Sequence, residues 1–226
     1  MKPNTQNNAE QMSEKSILLE NDSVLQLIAD ELISQYHCHT IILYGSRARG
    51  DFTSTSDYDV AGIVKTGEKQ RIARFDKKHR VYHDIFIYPE NAFKIISEEH
   101  LCMADGVIVI EEAHFGTQLL KKLNAVLTLP ESIPPDEITV RKVWYQKMLA
   151  RASIRDLEGK YRHIWSLYTL LEDYFVFREL RYQGPKKAFQ YLKMHDQNTF
   201  RLFDEALTYT DNLDALNKLI TRVITL

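Results

Sequence analysis

Gly45-Ser46-Arg47-Ala48-Arg49-Gly50-Asp51-Phe52-Thr53-Ser54-Thr55-Ser56-Asp57-Tyr58-Asp59 follows directly on the apolar run Thr40-Ile41-Ile42-Leu43-Tyr44. That run reads as a short buried strand that opens into a tight turn. A glycine at the bend lets the backbone approach a ligand, and its neighbours' N–H groups can point at a phosphate. A helix starting at Arg47 would add first-turn donors to the same anion site. The Ser46 hydroxyl offers one more hydrogen bond. Gly45, Ser46, Arg47, Arg49 and Ser56 are therefore the candidate phosphate-binding set.

Asp57 and Asp59 stand two apart, so on a strand they share one face and can grip the same cation. Side-by-side carboxylates repel unless positive charge lies between them, and Mg²⁺ takes oxygen ligands. Val60, Ile63 and Val64 bury the strand that carries them. Asp84 is the third carboxylate, inside the apolar run Val81–Tyr88, where a carboxylate needs a pair, hydrogen bonds or a metal. If the two strands pair, all three acids face the same ions: one metal holds a triphosphate, another brings an acceptor oxygen in line with the α-phosphorus. His83 should point to the opposite face as a structural residue.

Gly45-Ser46, Gly50, Ser56-Asp57-Tyr58-Asp59 and a later-strand Asp84 together resemble the nucleotidyltransferase superfamily of DNA polymerase β type, over roughly residues 24–90. The resemblance implies a small α/β domain, catalytic and metal-binding roles for Asp57, Asp59 and Asp84, and a phosphate at Ser46. It also implies Mg²⁺ or Mn²⁺ and an NTP, by default ATP, as substrate. The short form with a helical second half is most similar to aminoglycoside-type and toxin–antitoxin-type nucleotidyltransferases.

The rest of the chain reads as α+β, a small mixed-sheet domain followed by an all-helical bundle. Residues 1–20 are expected to fray, 21–129 to form the catalytic domain, 130–135 to link, and 136–226 to form four or five helices. The linker rests on three prolines within Pro130–Pro135, which no helix interior tolerates. In the first half the pattern predicts a helix from Asn21 or Asp22 to Tyr36, a strand at Gly106–Ile110 and a helix from Phe115. Gln70–Lys78 reads as a loop or short helix, and a helix is expected near Asn91. In the second half Val140, Val143, Trp144, Met148 and Ala152 form one apolar stripe. Ile164, Trp165, Tyr168, Leu171 and Phe175 form another.

Composition sets outer limits. Net charge is -2 over 226 residues, so no global field favours nucleic acid or anionic membrane. Residues 136–226 carry 15 Lys+Arg against 12 Asp+Glu, which gives no acidic trough for a polycationic acceptor. The two cysteines, Cys38 and Cys102, are too few for a disulfide framework and are expected in the core of a cytoplasmic protein. No segment is apolar enough to span a bilayer. Glu172, Asp173 or Glu179 could serve as a general base in the bundle, although a solvated helix face is the plainer reading.

These observations lead to transfer of a nucleoside monophosphate to a hydroxyl of a small molecule, with homo-oligomerisation open. The alternatives are modification of a protein or a tRNA end, and a nucleotide-binding module without turnover.

Overall fold

The computed structural model describes residues 21–225; the expected frayed segment 1–20 lies outside them. The chain forms two compact units that divide after Thr128.

Five strands build the first unit: β1 (Thr40–Tyr44), β2 (Tyr58–Val64), β3 (Gln70–Asp76), β4 (Val81–Pro89) and β5 (Val107–Ile110). Their order in the sheet is β3-β4-β2-β1-β5. β2 and β4 run parallel, whereas β1 pairs antiparallel with β2 and β5, and β3 antiparallel with β4. A mixed sheet followed by helices is the α+β class expected.

Successive side chains leave a strand on opposite faces, and both faces here are covered. Ile41, Leu43, Val60, Ile85 and Ile87 pack with Leu25, Ile28 and Leu32 of helix α1 (Ser23–Tyr36). Ile42, Tyr44, Ala61, Ile63 and Tyr88 pack with Phe93, Met103, Leu119 and Leu123. The last two belong to helix α3 (Phe115–Leu127); the five-residue α2 (Gly45–Arg49) lies between β1 and β2 in the chain. Asp22 caps α1 by accepting from the amides of Val24 (3.1 Å) and Leu25 (3.0 Å).

Three expectations change here. Gln70–Asp76 is an edge strand, not a loop or helix. Five of its seven residues are exposed, so a charged edge hides the period-2 signal. The helix expected near Asn91 is two 3-10 turns, Glu90–Lys94 and Glu98–Met103. Cys102, in the second, is exposed and donates its Sγ hydrogen to the Glu99 carbonyl (3.2 Å), whereas Cys38 is buried.

The second unit holds five helices: α4 (Pro135–Ala152), α5 (Leu157–Val176), α6 (Pro185–His195), α7 (Gln197–Thr208) and α8 (Leu213–Ile224). Proline opens α4 and α6 at the first turn, where no intrahelical donor is lost. Tyr145, Leu167, Leu170, Leu171, Phe203, Leu216 and Leu219 form the core. The stripe expected on α4 is split, since Met148 and Ala152 are buried while Val140 and Val143 are exposed. Ile164 and Tyr168 are likewise exposed, whereas Leu171 and Phe175 are buried. The core-facing stripe of α4 runs instead through Tyr145, Met148 and Ala152, which are three and four residues apart. Among the described residues no helix is long and apolar enough to cross a membrane.

Candidate active site

Register places the acids. Asp59 of β2 and Asp84 of β4 are direct partners in the parallel pair, so their Cα atoms are about 5 Å apart. By the pleat both project to the face that carries Tyr44, Ala61 and Phe86, while Val60 and Ile85 between them go to the α1 side. Asp57 immediately precedes β2 and is exposed. Burial first, then repulsion from Asp57 and Asp84, raise the Asp59 carboxyl to about 6, with Arg49 pulling the other way. The three acids therefore share one field, and Asp59 is its least solvated member.

Gly45 supplies the cradle. Tyr44, the last residue of β1, is the register partner of Asp59. The next residue must clear that carboxylate: a Cβ on Gly45 would lie 2.2 Å from Asp59 Oδ2. Gly45 also has φ +72, the left-handed region that disfavours side chains. Glycine is required on both counts. The Ser46 side chain forms no hydrogen bond among the described residues, so its hydroxyl is available to a ligand.

Two members of the phosphate set have other work. Arg47 donates from Nε to the carbonyls of Ser56 (3.1 Å) and Asp57 (3.2 Å), and from Nη2 to Ser56 (2.8 Å). Its guanidinium also lies 3.8 Å from the Tyr58 ring centroid. Arg47 thus shapes the loop that presents Asp57. Ser56 closes a turn, its Oγ accepting from the Thr53 amide (2.9 Å). Arg49 stays beside the acids, paired with Asp105 (3.1 Å) and Asp51 (3.4 Å).

The expected three-carboxylate metal site is not assembled as such. Among the described residues no three His, Cys, Asp or Glu side chains are placed to hold one ion. The physical reason is Arg71 on β3, which makes a two-pronged pair with Asp84, Nε to Oδ1 and Nη2 to Oδ2, both 2.8 Å. Arg71 faces Phe86 in the β3–β4 register, while Asp84 faces Ala73, so the two meet diagonally across the strands. A guanidinium thereby occupies the place of a cation at Asp84.

The model of the nucleotidyltransferase domain family matches residues 25–122, the segment that carries every residue above. This unit is a nucleotidyltransferase domain. Over 53 residues the chain is 42% identical to a protein of Methanocaldococcus jannaschii provisionally named a protein adenylyltransferase, covering 22% of this chain and 54% of that one. The chain thus matches about half the length of this relative. It also resembles the crystal structure of a nucleotidyltransferase-like protein from Exiguobacterium sibiricum, with TM-score 0.40 and 14% identity across 88% of this chain and 72% of that one.

Around the nucleotidyltransferase acids, Arg71 was not foreseeable, because an exposed arginine on an unrecognised strand carries no periodic signal. His83 is buried on the α1 side, edge-on to Tyr58 with ring centroids 5.8 Å apart, and burial lowers its pKa. In the helical unit Asp173 is buried, accepting from Arg141 Nη1 (2.7 Å) and the Tyr145 hydroxyl (2.6 Å). It is a core anchor, not a free base, whereas Glu172 and Glu179 are exposed.

Proposed function

We propose that the chain transfers a nucleoside monophosphate, AMP from ATP in the first instance, to a hydroxyl group and releases pyrophosphate. The observation that carries this reading is the register pairing of Asp59 with Asp84 beside a glycine that no other residue can replace. Such an arrangement has little structural purpose, since it concentrates negative charge at a buried strand end.

Burial and two acidic neighbours disfavour the charged form of Asp59, and a divalent cation would relieve both. Asp57, Asp59 and Asp84 would hold Mg²⁺, for which Mn²⁺ can substitute. When bound, the metal neutralises triphosphate charge and lowers the pKa of an attacking hydroxyl. The protein's own part is positional. Ser46 Oγ donates to a phosphate oxygen, and the Gly45 turn leaves room for that oxygen to approach. Asp84 exchanges Arg71 for its new partners and can accept the proton of the incoming hydroxyl. Arg71, once released, meets the phosphate charge that enters.

In the first reading the hydroxyl belongs to a small molecule. The provisional name of the archaeal relative favours a second, in which a protein side chain is the acceptor. Incubation of the full chain with α-labelled NTPs and Mg²⁺, against hydroxyl compounds and against protein acceptors, separates them. Label on a small molecule supports the first reading and label on a protein band the second. Metal-dependent NTP turnover absent under all conditions would exclude transfer.

A further inference from the structure

The geometry points to a second binding site, in the helical unit, for the phosphate group of a small hydroxylated phosphate monoester. A cavity of about 120 Å³ there is lined by Arg155, Lys160, His163, Thr210 and Asp211 together with the apolar Ala152 and Leu213. Arg155 belongs to the α4–α5 turn. Lys160 and His163 are three apart on α5 and share a face. Thr210 and Asp211 enter from the α7–α8 connection.

Charge in this cavity is unbalanced. Arg151 takes both neighbouring acids, Asp156 (2.9 Å) and Glu158 (2.7 Å), and Arg162 also reaches Glu158 (3.4 Å). Arg155 and Lys160 are exposed and, among the described residues, enter no side-chain hydrogen bond or ion pair. Asp211 is the one acidic wall residue against these two cations. His163 is 3% exposed, yet its Nε2 has no hydrogen-bond partner. That unpaired nitrogen is costly, and a small turn of the ring toward a ligand oxygen would relieve it. Burial lowers its pKa, with Asp211 opposing, and Nε2 is the ring atom left to a ligand.

These walls define the ligand class. Two cations suit a single phosphate monoester, which carries a charge of about -1.5 to -2 near neutrality. Asp211 repels a second anionic group and instead accepts a hydroxyl from an adjacent carbon. Cavities of roughly 150 Å³ take up a molecule the size of benzene. The volume here matches a phosphate with a short hydroxylated stub. Within the helical unit the site serves as an effector pocket.

Titration of the full chain with glycerol 3-phosphate and with inorganic phosphate tests this, read by imidazole ¹⁵N resonances of His163 and by calorimetry. Both probes should move the His163 signals saturably, glycerol 3-phosphate binding more tightly. Arg155→Ala and Lys160→Ala, both at exposed positions that leave the core intact, should each weaken binding roughly tenfold. Asp211→Asn should narrow the preference for glycerol 3-phosphate over inorganic phosphate. The proposal is overturned if His163 shows no saturable response up to roughly 10 mM of either probe, or if the double variant Arg155→Ala, Lys160→Ala binds as tightly as the parent.

Discussion

Two aspartates, each set in an apolar run and each paired with an arginine, contrast an open ion pair with a closed one in this molecule. Asp84, on the sheet, meets Arg71, with side-chain exposures of 28% and 58%. Asp173, in the bundle, meets Arg141, with 8% and 34%. Asp173 has a second donor in the fully buried Tyr145 and no acidic neighbour in its hydrogen-bond set, so its charge is satisfied in place. Asp84 faces Asp59 across the strand pair and holds a counter-ion that water reaches freely. An exposed arginine beside carboxylates that repel is the electrostatic form that the proposed cation exchange requires. An arginine locked with a tyrosine around one carboxylate is a structural joint.

The largest effect expected from breaking this contrast is on chemistry. Asp59→Asn should reduce nucleotidyl transfer by on the order of a thousandfold while leaving the thermal midpoint close to the parent's; transfer at parental rate would remove the sheet acids from the reaction. Asp173→Ala should do the reverse. Orphaning the Tyr145 hydroxyl and Arg141 should cost about 3 kcal/mol in urea unfolding, with the chemistry of the folded fraction retained. A stability change within error would show that the bundle pair is not a joint.

A third, smaller effect concerns acid. Burial pushes the Asp196 carboxyl up, but hydrogen bonds from the Thr199 hydroxyl and amide, Tyr174 and Arg222 outweigh it and hold it at about 2. A carboxyl lowered on folding contributes stability that is complete above about pH 4, the unfolded value, and is lost as pH falls through about 2. The loss should be about 2 kcal/mol across that window, and Asp196→Asn should remove that share of the slope. Smallest is Arg71→Met. Freed from its partner, Asp84 should bind Mn²⁺ a few-fold more tightly by paramagnetic titration; weaker binding would mean that Arg71 supports the acids rather than competing for them.

What was legible in the sequence follows from periodicity. β1, the glycine turn and the Asp-x-Asp spacing declare themselves because a buried strand must be apolar and a tight bend needs glycine. The face shared by Asp59 and Asp84 follows from the pleat once their strands pair. β3 was illegible because Gln70–Asp76, with one side in solvent and an unpaired edge, has no need of alternation, and Arg71 was hidden with it. The loop-bracing bonds of Arg47 were illegible because sequence distance says nothing of a guanidinium folding back onto the carbonyls of Ser56 and Asp57. On α4, Val140 and Val143 read as core because spacing alone cannot tell which of two apolar stripes faces inward.

The cap of α1 carries a final consequence. Asp22 not only seats the first turn of that helix; it also receives the hydroxyl of Tyr58, 2.8 and 2.9 Å from its two oxygens. Tyr58 stands between the paired acids Asp57 and Asp59. Fraying at one end of a peripheral helix is thereby transmitted to the centre of the Asp-x-Asp segment. Amide exchange at Val24 and Leu25 should rise and fall with exchange at Tyr58, as a single cooperative opening.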